Sequence, residues 1–291
     1  MNLSCAESVA VSGLFPIIYL IFIYIFDWNG KDRDDPKSVE NRLKGVSIAC
    51  LLSALLVQYA TPSDYKNNFF ELIGVDIWSP CYFSTAFGQL LTTAILFSGP
   101  IMQHLIIDGW STPCIALHYT YWQSCFRDPL WRRNILYAPF TEEFVFRGCA
   151  IAVLLSCRLS TDSDLNPSET AQVNGHLRLS KSAIAFISPI WFSFAHYHHV
   201  FDQAHHGLSW KQAFVKCSFQ AAFTYVFGVY ASHLFVTSRN LLGVILVHSF
   251  CNYMGFPDVA SLAELNGSKS RYAVIAAYIG GLSTFLYLII V

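Results

Sequence analysis

Residues 137–155 read Tyr-Ala-Pro-Phe-Thr-Glu-Glu-Phe-Val-Phe-Arg-Gly-Cys-Ala-Ile-Ala-Val-Leu-Leu, and from Phe144 onward the stretch has the composition of a membrane helix. It nevertheless contains Glu142, Glu143 and Arg147. One ionisable side chain near the bilayer centre costs roughly 2.5–3.5 kcal/mol on insertion scales. On a helix Glu143 and Arg147 share a face and can neutralise each other. Glu142 points about 100° away from Glu143 and has no such partner, which marks it as a functional candidate.

The composition of the whole chain is that of an integral membrane protein. Of its 291 residues, 54% are hydrophobic and 13% are charged, and the mean hydropathy is +0.42. Soluble domains carry about 25% charged residues. The net charge of −1 indicates neither a nucleic-acid-binding surface nor an acidic tail. The nine cysteines include no Cys-x-x-Cys pair, so neither a disulfide framework nor a zinc ribbon is expected.

Apolar segments that could cross a bilayer, which takes about 17–25 residues, recur along the chain. Eight candidates are found, of which the fifth is short: 9–26, 44–61, 78–101, 135–157, 183–197, 213–236, 239–256 and 272–291. We therefore predict an all-α polytopic membrane protein with about eight transmembrane helices. It should form one domain, 1–291, with a catalytic core at about 135–256. Segment 102–134 mixes tryptophan with arginine and is predicted to lie at the membrane interface.

Two polar loops orient the chain in the membrane. Loop 27–43 is charged, and loop 158–182 is predicted to be a flexible surface loop. Lysine and arginine are more frequent on the side of loop 27–43, so the positive-inside rule predicts that this side is cytosolic. Glu142 then lies near the start of a segment that enters the membrane from the cytosol.

Three further polar residues interrupt the apolar segments. His196 closes the fifth segment in the run Phe192-Ser-Phe-Ala-His196, and His248 and Asn252 lie in the seventh. His248 and Asn252 are one helical turn apart, so both can aim at one point. The predicted orientation brings these three residues and Glu142 to the same side of the membrane, where they can form one site.

The residue types restrict the chemistry of such a site. A carboxylate and an imidazole can hold and deprotonate one water, while a second imidazole and an amide NH2 can donate hydrogen bonds to a developing oxyanion. The sequence has neither a serine framed as a nucleophile nor a His-Glu-x-x-His zinc motif. Amide hydrolysis by activated water is favoured. The alternatives are structural: a buried ion pair, an interfacial histidine and hydrogen bonds between helices.

At these residues the chain resembles a known family. The motifs, which occur in this order on separate predicted helices, are Glu142-Glu143-x-x-x-Arg147, Phe192-x-x-x-His196 and His248-x-x-x-Asn252. They resemble those of the CAAX protease and bacteriocin-processing family of glutamate-dependent intramembrane proteases. Residues 138–147 and the chain length are similar to its eukaryotic branch, the type II CAAX prenyl endopeptidases. The resemblance covers 135–256 clearly and the flanks by hydropathy.

The resemblance implies a role for each motif residue. Glu142 and His196 would activate water, and His248 and Asn252 would stabilise the oxyanion. The remaining motif positions, which would shape the site, are Glu143 and Arg147. The implied mechanism needs neither a metal nor another cofactor, although a set of glutamates and histidines also admits a metalloprotease.

The resemblance also implies a location and a substrate. It implies an endoplasmic reticulum membrane enzyme that removes the last three residues of farnesylated or geranylgeranylated CAAX proteins, Ras-like GTPases among them. The active site would face the cytosol. The implied partners are the prenylated C-termini and the lipid bilayer, with no nucleic acid.

Three other interpretations remain open on the sequence alone. The histidine-rich stretch 196–206 could belong to a di-iron membrane oxygenase, although the remaining histidines are isolated. A non-catalytic membrane scaffold would tolerate Gln in place of Glu142. A cysteine protease could use Cys251 beside His248, but no acid is expected to orient that imidazole.

Overall fold

A computed structural model describes residues 3–28, 32–62, 68–107, 109, 117–157, 170–173, 176–265 and 267–290. Helices make up most of these residues. The α-helices are α1 Cys5–Ser12, α2 Leu14–Phe26, α3 Pro36–Ala60, α4 Phe69–Leu72, α5 Tyr82–Leu96, α6 Ser98–Ile107, α7 Tyr119–Arg127, α8 Pro129–Arg132, α9 Ala138–Glu143, α10 Ala150–Leu155, α11 Lys181–Ala195, α12 His199–His205, α13 Trp210–Ser238, α14 Leu241–Met254 and α15 Ser268–Ile290. Two π-helical segments, Arg133–Tyr137 and Phe144–Cys149, join α8, α9 and α10. Short 3-10 helices cover His196–His198 and Ala260–Glu264.

The all-α, polytopic membrane architecture is confirmed, but the count of eight spans is not. Within the described residues, four helical stretches are long and apolar enough to cross a membrane: Cys5–Phe26, Pro36–Ala60, Trp210–Ser238 and Lys269–Ile290. A fifth is α5 with α6, if this pair, bent by 62°, counts as one span. The other three predicted segments coincide with shorter helices, namely the α9–α10 run, α11 and α14.

Both predicted loops contain more regular structure than expected. In loop 158–182, the strands β1 Thr170–Val173 and β2 His176–Leu179 pair antiparallel, and the rest of the loop up to residue 175 lies outside the described residues. In loop 27–43, α3 already begins at Pro36, because the Asp35 carboxylate caps it by accepting from the backbone N–H groups of its first turn. Charged residues therefore extend the third helix beyond its apolar part.

The predicted interfacial segment 102–134 contains α7 and α8, although Trp110 lies outside the described residues. The rings of Trp122, Phe126 and Trp131 pack against one another, with centroids 5.3–6.5 Å apart. Such a cluster with a polar opposite face suits the bilayer boundary.

Residues 129–155, which we call the central helix, run through the core. Ile151, Val153 and Leu154 in its last turns are fully buried. A helical stretch that is apolar on all sides is typical of a helix surrounded by other helices or by lipid. The last turns of the central helix are surrounded by other helices, which accounts for their uniform hydrophobicity. The outer helices show the reverse pattern, with large apolar side chains exposed in rows such as Ile17 and Ile21 on α2. These rows suit contact with lipid.

Glycines allow the closest helix contacts. A Cβ at Gly45 would clash with the carbonyl of Phe22, so only glycine lets α3 approach α2 this closely. On α13, a Cβ at Gly228 would lie 2.7 Å from Pro189 of α11 and 3.3 Å from a guanidinium nitrogen of Arg147. Gly228 therefore provides the space that the buried arginine occupies.

A disulfide joins the start of α1 to the end of the central helix, although the spacing of the cysteines did not lead us to expect one. Cys5 and Cys157 are bonded, with their Cα atoms 4.8 Å apart. They are 152 residues apart in the chain, so no local spacing indicates the pair.

Candidate active site

The central helix changes its winding twice around the glutamate motif. In the first π-helical segment the Ala138 N–H donates to the Arg133 carbonyl. The next carbonyl in this pattern, that of Asn134, faces Pro139, which has no N–H to donate. The Asn134 carbonyl is therefore free to accept from another helix. Short π-helical segments are frequent at functional sites, and here they flank the α-helical residues Ala138–Glu143.

Glu143 and Arg147 form the ion pair that their spacing predicts. Arg147 NH1 donates to Glu143 Oε1 at 3.0 Å, and both side chains are at most 1% exposed. The guanidinium carbon of Arg147 also lies 4.3 Å from the centre of the Phe192 ring. Pairing and stacking offset part of the desolvation cost of burying two charges.

His248, a predicted site residue, joins this pair through a contact that no local sequence spacing indicates. Its Nδ1 lies 2.7 Å from Glu143 Oε1, and its Nε2 lies 4.0 Å from Glu142 Oε2. The expectation that no acid orients this imidazole is therefore wrong, because Glu143 of α9 binds the His248 ring of α14. We call Glu143, Arg147 and His248 the buried polar cluster. Both ring nitrogens of His248 face carboxylates, which leaves neither directed at Cys251.

Glu142 lies beside the cluster but in a different environment. Its side chain is 21% exposed, whereas that of Glu143 is fully buried. The neighbouring Thr141 is fixed by its hydroxyl, which donates to the Tyr137 carbonyl and lies 2.9 Å from the Tyr19 hydroxyl. These bonds hold the turn that presents Glu142.

His196 follows the last turn of α11, and its ring is held by its own helix. Its Nδ1 lies 2.8 Å from the Phe192 carbonyl oxygen. A carbonyl can only accept, so Nδ1 carries the proton in this bond. In the neutral ring Nε2 then has a free lone pair, as a general base requires.

Asn252 lies one turn after His248 on α14, and one of its side-chain N–H groups already makes a hydrogen bond. Its Nδ2 donates to the Asn134 carbonyl at 2.9 Å, the acceptor that Pro139 leaves free. An amide nitrogen carries two N–H groups, so one remains for another acceptor.

Two cavities meet at this site. The larger, of about 700 Å³, is mainly apolar and lies between α5, α13, α14 and α15. The smaller, of about 150 Å³, lies between α2, α3, the central helix and the histidine-rich turn. Glu142, Phe192 and His196 line both cavities, whereas His248 and Asn252 line the larger one. We call the shared boundary at Glu142 and His196 the junction. The structure thus brings the predicted site residues to neighbouring positions on three helical segments.

A group that could hold a metal lies next to the junction. The donor atoms of His198, His199 and Asp202 all lie within 4.8 Å of one another, and His196 is not among them. Burial lowers the pKa of His198 to about 3, so its ring is neutral at cellular pH. Within the described residues, this group offers three donor atoms, fewer than the several clustered nitrogens that a di-iron oxygenase would need.

Comparison with known proteins identifies the family of this chain. Residues 129–254 match the family model described as Type II CAAX prenyl endopeptidase Rce1-like. CAAX prenyl protease 2 of Homo sapiens is 32% identical to this chain, over 97% of it and 84% of the relative. The protein of the same name from Caenorhabditis elegans is 29% identical, over 96% of this chain and 95% of the relative. No solved structure matches significantly. The chain therefore belongs to the family of type II CAAX prenyl endopeptidases.

Proposed function

We propose that this chain is an intramembrane endopeptidase that removes the C-terminal tripeptide from prenylated CAAX proteins, with Glu142 and His196 activating the attacking water. The observation that carries the proposal is the junction, where a carboxylate and an imidazole lie between a large, mainly apolar cavity and a smaller cavity whose lining includes three arginines. The name CAAX prenyl protease 2, shared by relatives along nearly the whole chain, supports the same activity. Ras-like GTPases would be among the substrates.

The larger cavity suits the isoprenoid. Its lining is mainly apolar and includes Phe223, Phe227 and Phe285 beside the motif residues. A farnesyl or geranylgeranyl chain on the cysteine would lie between α13 and α15, with the cysteine carbonyl at the junction. Apolar cavities of this size are typical of sites that bury most of a ligand's surface.

The reaction consumes one water and no cofactor. Glu142 and the Nε2 atom of His196 hold the water and accept its proton as its oxygen attacks the carbonyl carbon of the prenylated cysteine. The carbonyl oxygen becomes an oxyanion, which accepts hydrogen bonds from the remaining Asn252 N–H and from His248. The C–N bond then breaks, and the proton passes to the amine of the departing tripeptide. The prenylated protein is left with a new carboxylate.

Glu143 and Arg147, the other two members of the buried polar cluster, support this chemistry without touching the substrate. Glu143 accepts from Nδ1 of His248, so donation to the oxyanion requires a second proton on Nε2. Arg147 compensates the charge of Glu143 on its other side. Both residues are positioning residues for His248 rather than reacting groups.

The proposed location is the endoplasmic reticulum membrane with the site open to the cytosol. Loop 27–43 and Cys5 lie at opposite ends of the first span, Cys5–Phe26. Disulfides persist in the lumen and are rare in the cytosol, so the Cys5–Cys157 bond supports a lumenal position for that end. This agrees with the positive-inside rule. A glycosylation acceptor inserted in 158–182 should be modified, and one in 27–43 should not; the reverse pattern would refute the orientation.

The direct test measures release of the tripeptide. Membranes containing this chain should release it from a farnesylated CAAX peptide and should leave the matching peptide without the isoprenoid intact. Membranes lacking the chain are the control. A chain that folds and releases no tripeptide would support the non-catalytic scaffold instead.

A further inference from the structure

Arginines outnumber carboxylates in the lining of the smaller cavity. Its charged lining residues are Glu142 and three arginines, Arg33, Arg42 and Arg133. The cavity therefore offers guanidinium hydrogen-bond donors to an anion next to the junction.

The three guanidinium groups differ in how firmly they are paired. Arg42 Nε lies 2.6 Å from Asp27 Oδ2, and Asp27 is almost fully buried. Arg133 NH1 donates at 2.8 Å both to Asp34 and to the carbonyl of Arg33. These two arginines hold the surrounding loop together.

Arg33 makes longer contacts and is the guanidinium best placed to bind a ligand. Its Nε lies 3.7 Å from Asp34 Oδ1, and its NH1 lies 3.5 Å from Nδ1 of His199. The Arg33 side chain is 37% exposed, and Arg133, whose NH1 donates to the Arg33 carbonyl, places a second cation nearby. A guanidinium that is partly removed from water beside another cation gains most from a carboxylate, which it can bind through two parallel hydrogen bonds.

We propose that Arg33 binds the C-terminal carboxylate of the substrate in this cavity. The inference rests on the proposed function, in which the bond cleaved at the junction lies three residues before the C-terminus. An extended tripeptide spans about 10 Å at roughly 3.3 Å per residue. The isoprenoid occupies the larger cavity on one side of Glu142, so the leaving tripeptide extends into the smaller cavity on the other side. An anchored carboxylate then fixes how far from the C-terminus the chain is cut.

The experiment compares two farnesylated peptides that differ only in a terminal carboxylate or carboxamide, using the full chain in lipid nanodiscs. A charge-assisted bond of this kind predicts that amidation lowers kcat/KM by about 10–100-fold for the unaltered chain. Arg33→Gln should lower kcat/KM for the carboxylate peptide by a similar factor and leave the carboxamide peptide nearly unchanged. Arg33→Lys should restore part of the discrimination. The control is Lys44→Gln, which removes a cation of the exposed Lys44–Glu40 pair outside the cavity.

The outcomes separate this inference from the proposed function. Equal cleavage of both peptides by the unaltered chain would overturn carboxylate binding and leave the protease intact. An equal loss on both peptides in Arg33→Gln would also overturn it, because it would indicate general damage rather than lost recognition. Failure of the unaltered chain to cleave either peptide would overturn the proposed function and the inference together.

Discussion

The buried polar cluster and the junction each contain one of the two adjacent glutamates but differ in burial and in charge pairing. Glu143 is fully buried, pairs with Arg147 and accepts from His248. Glu142, the adjacent residue, is partly exposed and borders two cavities. Two identical side chains on adjacent residues thus have different surroundings, because the helix directs one into the protein interior and the other toward the two cavities. One carboxylate is held in an ion pair, and the other is the one for which we propose a chemical role.

The largest expected effect follows from removing only the charge of Glu142. Glu142→Gln keeps the shape but removes the base, so kcat/KM should fall by about 10²–10⁴-fold. The thermal unfolding temperature in detergent should stay close to that of the unaltered chain. Glu71→Gln, which makes the same change at an exposed position, is the control. Near-normal turnover by Glu142→Gln would refute the mechanism and the distinction between the two glutamates.

The same substitution at Glu143 should act first on stability. Glu143→Gln leaves Arg147 buried without a counter-charge, which costs about 3–5 kcal/mol in comparable buried pairs. Activity should fall as well, because His248 loses the carboxylate that orients it. Denaturation of the purified protein measures the first effect and peptide cleavage the second. Glu40→Gln in the exposed pair with Lys44 should change neither. A fully stable Glu143→Gln would mean that the cluster is not held by charge.

Asn252 tests the side of the site where the oxyanion would form. Asn252→Ala removes one donor, and the loss of one such donor lowers kcat by about 10²–10³-fold in comparable enzymes. KM should change little, since this bond forms mainly in the transition state. Asn68→Ala, at an exposed position, serves as the control. A rise in KM at constant kcat would assign Asn252 to substrate binding instead.

The smallest effect is expected from removing metal ions. In the proposed mechanism N–H groups stabilise the oxyanion and no step needs a metal, so strong chelators should leave kcat/KM within about two-fold. A loss of activity that zinc or iron restores would contradict this and would direct attention to His198, His199 and Asp202.

Part of the architecture could be read from composition and periodicity. Each of the eight predicted apolar segments coincides with helical structure, because burying backbone polar groups in a bilayer demands it. Their lengths could not be predicted equally well, since α11 and α14, of 15 and 14 residues, pack against the longer α13 and need not match the bilayer by themselves. No pattern in the sequence indicates that strands 170–173 and 176–179 pair or that Cys5 is bonded to Cys157.

The sequence by itself determined which residues are out of place in a membrane and that Glu143 pairs with Arg147, because four-residue spacing acts locally on a helix. Only the tertiary structure decided that His248 binds Glu143, that Asn252 donates to the Asn134 carbonyl, and that two cavities meet at Glu142. These relations join helices more than 100 residues apart. Such contacts depend on how helices pack, which no local pattern encodes.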